Sequence, residues 1–323
     1  MSKRIFITGI NGQDGYYLSK YMLSLGHEVH GIIRRNSVAE NEASRIKDIT
    51  KDLHLYYGDM TDSHSLENAL KKVKPDYVFH LAAQSHVGIS FTMPDYTMEV
   101  NSKGTFYLLR ACKRNCPKAH IYNAATSEMF GASIDHDGFQ RENTPMNPVS
   151  PYGTSKLDAY NYIKLYRKLN DMYVANGICF NHESPKRGSA FVTQKVVKAA
   201  VAIHRKQQDK LELGNLDSFR DWGHAKDYVE AMWLISNHIK PMDFVIATGI
   251  THSIRDMCKV VFDYLGLNYE DYVVQNPEFM RPKEVSYLKG DAFKARIILG
   301  WKPKYTFESL LHEMIESHIK END

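Results

Sequence analysis

Arg4-Ile5-Phe6-Ile7-Thr8-Gly9-Ile10-Asn11-Gly12-Gln13-Asp14-Gly15 stands at the head of the sequence. It reads as a compact apolar strand, a glycine turn and the first turn of a helix running to Leu25. This strand, turn and helix are the context that a dinucleotide-binding fingerprint requires. Gly9 permits the tight turn, Gly12 lets backbone approach a pyrophosphate, and Gly15 lets the helix pack on the strand. Asn11, Gln13 and Asp14 complete the loop, and the helix amino end turns its unpaired N–H groups toward phosphate. A glycine-rich turn without a ligand is the plainer alternative. The expected fold is α/β, a Rossmann-type doubly wound parallel sheet with a smaller mixed C-terminal region for substrate.

Further strands follow in the order such a sheet needs. Glu28 to Ile33 ends in Arg34-Arg35-Asn36-Ser37. A site for NAD usually has an acid here for the ribose 2′-hydroxyl, whereas arginine accommodates a 2′-phosphate, so the pair predicts NADP. A solvated basic loop is the alternative. Leu53 to Tyr57 runs into Gly58-Asp59-Met60-Thr61-Asp62. Asp59 is placed to bond an adenine amino group, while Asp62 or Ser63 caps the next helix. Asp76 to Leu81 is a fourth strand and leads into Ala82-Ala83-Gln84-Ser85-His86-Val87. The two alanines let backbone lie against a flat ring or ribose. His86, standing alone, reads more readily as a structural hydrogen-bonder than as a catalyst. A helix is predicted from about Tyr96 to Lys113.

His120 to Ala125 is small and apolar enough for a buried strand, and Thr126, Ser127 and Glu128 fall at its end. Open α/β sheets bind ligands at the carboxyl ends of their strands. Pro151-Tyr152-Gly153-Thr154-Ser155-Lys156 opens a helix to about Asn170, and the spacing of four puts Tyr152 and Lys156 on one face. An ammonium one turn from a phenol favours the phenolate and lowers its pKa. The pair can then take a proton from a sugar hydroxyl as hydride leaves its carbon. By itself the spacing also fits a half-buried tyrosine beside a solvated lysine, but the rest of the chain favours chemistry. Between strand and helix, Gly131 to Asn147 is polar and reads as a surface loop near the mouth of the site.

After a sixth strand, Tyr173 to Phe180, regular alternation fades. Three stretches concentrate basic and amide groups, as a diphosphate and a nucleobase need. They are Asn181 to Gly188, a loop from Leu213 to His224 with one aromatic anchor, and Met280 to Val285. Solvated loops would account for any one of them. Phe191-Val192-Thr193-Gln194-Lys195 begins another helix. The division expected is residues 1–180 for dinucleotide and catalysis and 181–323 mainly for a nucleotide sugar, with some segments returning to the sheet.

Composition narrows the class. A chain of 323 residues with 43% hydrophobic and 24% charged residues suits a globular protein with a sizeable core. The net charge of +3 gives no reason to expect nucleic acid, and no apolar run reaches membrane-spanning length. Cys112, Cys116, Cys179 and Cys258 fit no zinc spacing, so buried thiols, no metal and a reducing cytoplasm are expected.

Taken together, the strings resemble the extended short-chain dehydrogenase/reductase family and, within it, the GDP-mannose 4,6-dehydratases. The resemblance runs nearly end to end, from Thr8-Gly9 to Leu299-Gly300-Trp301-Lys302-Pro303. It is carried by Gly12-Gln13-Asp14-Gly15, Arg34-Arg35, Ala82 to Val87, Thr126-Ser127-Glu128 and Ser150-Pro151-Tyr152. Asn181-His182-Glu183-Ser184-Pro185, Arg220-Asp221-Trp222-Gly223-His224, Asp227-Tyr228-Val229, Ala247-Thr248-Gly249 and Arg281-Pro282-Lys283-Glu284-Val285 extend it. It implies Thr126, Glu128, Tyr152 and Lys156 as the catalytic set. Around NADP it implies Gly9 to Gly15, Arg34 to Ser37, Asp59, Met60, Leu81 to Ser85, Tyr96, Lys156, His182 and Arg187. Ser85, Asn181, Lys195, Leu213, Gly214, Asn215, Arg220, Arg281 and Glu284 would line a GDP-sugar site, and the resemblance implies a homodimer or homotetramer.

The implied chemistry has two stages. Tyr152 takes the C4 hydroxyl proton as hydride leaves C4, and Glu128 removes the C5 proton as C6 loses water with help from Glu128 or Thr126. A 4-epimerase of this fold needs only the Tyr/Lys pair, so Glu128 favours dehydration. Ala125 and Gln194 stand where the family usually has serine and arginine, and Asn36 and Val38-Ala39-Glu40 stand in place of a serine-rich run. These departures leave mannose, a related hexose and manno-heptose open as the sugar. An NADP-sensing binding protein is the rival outside enzymes.

Overall fold

The computed structural model describes residues 1–38, 44–280 and 285–321. Its main sheet contains β1 (Arg4–Thr8), β2 (Glu28–Ile33), β3 (Leu53–Tyr57), β4 (Tyr77–His80), β5 (His120–Thr126) and β6 (Val174–Cys179). Of the later strands, β7 (Asn181–Glu183), β8 (Leu211–Leu213), β9 (Phe219–His224), β10 (Phe244–Ile246), β11 (Thr251–Ser253) and β12 (Val273–Gln275), only β10 joins that sheet. Helices α1 (Gln13–Ser24), α2 (Ser63–Val73), α3 (Val87–Thr92), α4 (Pro94–Met98), α5 (Gly104–Asn115) and α6 (Pro151–Leu169) belong to the first half. Helices α7 (Val192–His204), α8 (Ala225–Ser236), α9 (Ile254–Tyr264), α10 (Phe293–Leu299) and α11 (Phe307–Glu321) belong to the second.

The sheet runs β10-β6-β5-β4-β1-β2-β3, and every pairing in it is parallel. Parallel strands joined by helical crossovers are covered on both faces and so read as apolar runs. The period-two alternation of each strand divides its side chains between two cores. Ile5, Ile7, Phe79 and Tyr122 pack with Leu18, Met22 and Met232 of α1 and α8. Their neighbours Phe6, Val78 and Ile121 pack with Leu66, Leu108 and Ile163 of α2, α5 and α6. Truncating a fully buried ring such as Phe79 to alanine would cost about 3–5 kcal/mol.

The smaller part is built on α7, α9 and α11, whose Val197, Val261, Leu311 and Ile315 bury Trp222 and Phe307. A three-stranded mixed sheet, β11-β9-β7, and a two-stranded parallel pair, β12-β8, lie in the same region. The predicted Rossmann-type sheet with a smaller mixed C-terminal region is therefore the observed architecture.

Three local readings differ. The Leu213–His224 loop contains a strand, because β9 pairs with β7 on one side and β11 on the other. Its charged pair obscured the pattern: Asp221 is buried, yet its carboxylate accepts hydrogen bonds from the Thr248 and Gly249 N–H groups, each at 2.8 Å. The helix read from Tyr96 to Lys113 starts at Pro94 and passes through a π-helical turn, Glu99–Lys103. No residue of Gly131 to Asn147 lines the cavity described below. Arg141 ties it to Asp291, 2.8 Å away, and pairs within it with Asp135 and Asp137.

Candidate active site

A cavity of about 910 Å³ opens at the carboxyl ends of β1, β2, β4, β5 and β6. Its floor begins where β1 gives way to α1. Gly9 takes a positive φ of 72°, and a Cβ on Gly15 would lie 2.4 Å from the Ile10 carbonyl oxygen. No side chain caps α1 at Gly12, so its first N–H groups remain available to an anion at the cavity edge. A glycine cradle with an uncapped helix end fits a dinucleotide pyrophosphate.

Asp14 and His182 both line the cavity, and they bond each other, Nε2 to Oδ2 at 2.8 Å. His182 is fixed further by its Nδ1, 2.8 Å from the Phe180 carbonyl oxygen, and by stacking on Tyr228. Gln13 donates to the His182 carbonyl and accepts from Ser184, so the glycine loop is tied to β7 at several points. Burial opposes charge on both partners, but their mutual attraction wins: His182 is raised and Asp14 lowered from their ordinary values.

Arg34 lines the cavity and donates to the Tyr96 hydroxyl, joining two of the predicted dinucleotide residues. Asn36 also lines it, whereas Arg35 and Ser37 do not. The Arg35 guanidinium lies over the Tyr57 ring and bonds the Asn36 carbonyl. Asp59, Met60, Leu81, Ala82, Ala83, Gln84, Ser85 and Arg187 are all on the wall. Asp59 Oδ1 accepts from the Thr61 N–H and hydroxyl, and Asp62 is the cap of α2. His86 lines the cavity while capping α3 through Nδ1, as its structural reading expects.

Thr126, Glu128, Tyr152 and Lys156 meet on the same wall. β5 carries Thr126 to its end, and Glu128 follows in a tight turn whose N–H bonds Thr126 Oγ1 at 3.3 Å. Ser150 caps α6, with Pro151 in its first turn, which presents Tyr152 and Lys156 from one helical face. The electrostatics differ from the expectation of a phenol drawn toward neutrality. Burial pushes Tyr152 up to about 12; the Thr126 hydroxyl opposes this and the Glu128 carboxylate adds to it. Burial likewise drives Lys156 down to about 8. His80 behind the site is held neutral, near 3, by burial and then by the Lys156 charge.

Asn181, Lys195, Leu213, Gly214, Asn215 and Arg220 line the other end of the cavity. Arg281 and Glu284 fall outside the described residues. Arg45, Glu212 and Phe279 also line it, and sequence reading missed them. None belongs to a motif, and only tertiary folding brings them to the site. Asn101, in the π-helical turn, was missed as well. It is buried and bonds the Gln84 backbone and Ser155 Oγ, bracing the loop after β4 against α6.

Fold and site together define an α/β protein of the short-chain dehydrogenase/reductase type, with a glycine cradle of a kind that suits a dinucleotide. Solved structures of similar fold include a UDP-glucose 4-epimerase from Thermotoga maritima with UDP-glucose, with a TM-score of 0.87 and 23% identity, covering 99% of this chain and all of that one. A dTDP-glucose 4,6-dehydratase from Bacillus anthracis in complex with NAD aligns with a TM-score of 0.85 and 23% identity, covering 99% and 97%. The family model described as GDP-mannose 4,6 dehydratase matches residues 6–314, and the chain belongs to that family. GDP-mannose 4,6 dehydratase 1 of Arabidopsis thaliana is 45% identical over 98% of this chain and 90% of its own length. GDP-mannose 4,6 dehydratase of Homo sapiens is 41% identical over 97% and 91%.

Proposed function

We propose that this chain converts GDP-mannose to GDP-4-keto-6-deoxymannose, acting as a hydro-lyase with a nicotinamide dinucleotide, NADP, as its cofactor. The observation that carries the reading is one cavity holding a carboxylate, Glu128, beside a Tyr/Lys pair, within a chain 40–45% identical to GDP-mannose 4,6-dehydratases over nearly its whole length. NADP is favoured over NAD by Arg34 at the end of β2. When bound, the nicotinamide accepts a hydride from the sugar and later returns it.

The protein's groups divide the remaining work. Tyr152 accepts the C4 hydroxyl proton, and the Thr126 hydroxyl lowers the cost of the phenolate that precedes it. Lys156, lowered to about 8, would hold the ribose of a bound dinucleotide and supplies positive charge at neutral pH. Once C4 is a ketone its neighbouring C5–H bond is acidified, and Glu128 removes that proton. Glu128 or Thr126 then delivers a proton to the departing C6 hydroxyl, which leaves as water; when hydride is returned to C6, C5 regains a proton, balanced by the one Tyr152 took from the C4 hydroxyl. Arg220, buried, and Lys195 clamp the diphosphate, while Asn181 and the Leu213–Asn215 turn contact the nucleoside and sugar.

Four buried free thiols suit a reducing cytoplasm, and no helix among the described residues is long and apolar enough to cross a membrane. A homodimer or homotetramer completes the proposal. Mass analysis of the product from GDP-mannose tests it: loss of one water with gain of a carbonyl is expected. An epimer of unchanged mass, or turnover of a GDP-manno-heptose alone, would overturn the assignment.

A further inference from the structure

The far end of β2 carries a cluster that this reaction does not use. Glu28 and His30 stand two residues apart on β2 and so share a face of the sheet, and His54 on β3 is the register partner of His30. Glu28 Oε1 lies 3.0 Å from His30 Nε2 and 3.5 Å from His54 Nε2. The potential ligand atoms of all three residues fall within 4.8 Å of one another. The two imidazoles stack with centroids 4.7 Å apart.

His30 supplies a second, independent observation. Its side chain is only 6% exposed, and its Nδ1 is 3.2 Å from the Tyr56 hydroxyl. Its Nε2 is buried and makes no hydrogen bond, although the Glu28 carboxylate is 3.0 Å away. A proton on Nε2 would therefore point past that oxygen. With the proton on Nδ1 and donated to Tyr56, the buried Nε2 keeps a lone pair 3.0 Å from the Glu28 carboxylate. A lone pair and a carboxylate oxygen at contact distance repel, and a shared cation removes the repulsion. Arg4, the neighbour of Glu28 on β1, does not supply it, because its guanidinium turns to the Val73 carbonyl at 2.8 Å.

We propose that Glu28, His30 and His54 bind a divalent transition-metal ion of the Zn²⁺ class and clamp edge strand β3 to β2. Two imidazoles and one carboxylate, with water completing a tetrahedron, are a ligand set zinc accepts. Tetrahedral bonds of about 2.0–2.1 Å put donor atoms about 3.3 Å apart, which the distances from Glu28 bracket. Exposed His54 closes the remaining gap by a rotation of its side chain. Tyr56 serves as the outer partner that fixes the tautomer of His30. Magnesium, which prefers oxygen ligands, is a poor occupant. Arg34 lies six residues along the chain from Glu28, about 20 Å away in extended strand, so the metal and the dinucleotide bind without competing.

Calorimetric titration of Zn²⁺ into the full-length chain, with Mg²⁺ as control and melting midpoint as a second readout, tests the proposal. The parent chain should bind one more Zn²⁺ equivalent than His54→Ala, a surface substitution, and should gain thermal stability that the variant does not. Glu28→Gln should weaken that equivalent by about tenfold or more. NADP should leave it unchanged. Equal stoichiometry and affinity in parent and both variants, or no Zn²⁺ binding by the parent, would overturn the site.

Discussion

Asp14 and His182 are 168 residues apart in sequence and 2.8 Å apart in the fold, carboxylate to imidazole. The contact fastens the glycine loop of β1–α1 to β7, where the substrate end of the cavity begins. The dinucleotide and sugar subsites proposed above would share this corner.

This pair gives stability a defined pH dependence. His182 is raised above its ordinary 6.5, so its contribution is complete below 6.5 and is lost as pH rises through the raised value. Asp14 is lowered below 3.8, so its contribution is complete above 3.8 and is lost as pH falls through the lowered value. The pair is at full strength between those two ordinary values. Asp14→Asn should cost about 1.5–3 kcal/mol there, in line with a charge-assisted hydrogen bond. It should also flatten the decline in melting midpoint on the alkaline side, which a series of melts from mildly acid to mildly alkaline pH would reveal.

Arg34 and Arg35 should separate in their effect on the dinucleotide, because only Arg34 lines the cavity. Arg34→Ala should weaken NADP binding at least tenfold, equivalent to about 1.4 kcal/mol, while leaving NAD nearly unchanged. Arg35→Ala should be close to silent. Calorimetric titration with both dinucleotides checks this, and equal affinity of the parent for NADP and NAD would remove the arginine from cofactor choice.

Lys156 should impose an alkaline limit. Burial brings its pKa down to about 8, so the ammonium is present below that pH and lost above it. Turnover should accordingly fall as pH rises through about 8, and Lys156→Arg should move the fall to higher pH even where it lowers the plateau. A pH profile of kcat for the two proteins is the check.

Much of this was legible from local pattern. β1, the glycine turn and α1 declare themselves because apolar strand residues and small turn residues are contiguous, and Tyr152 and Lys156 because one helical turn separates them. The β9 strand was hidden by Arg220 and Asp221, charged residues whose burial makes sense only beside the backbone donors near Thr248. Asn101 lay hidden in a π-helical turn, and Arg45 lay outside any motif. The direction of the Tyr152 shift could not be read from its neighbour four residues on, because burial, a property of the whole fold, is its largest cause and the group that opposes it most is the Thr126 hydroxyl on β5.

The division of labour between Tyr152 and Glu128 is the centre of the account, and Glu128→Gln tests it most directly. The substitution keeps shape and hydrogen bonding but removes the base, and general base catalysis supplies about 10²–10⁴-fold in rate. The measurement is the rate of water loss from GDP-mannose by mass spectrometry, with NADP and GDP binding titrated on the same protein. Dehydration should fall at least about a hundredfold while both affinities hold. Near-parental dehydration in a folded, NADP-binding Glu128→Gln protein would contradict the account and leave Glu128 as no more than part of the turn after β5.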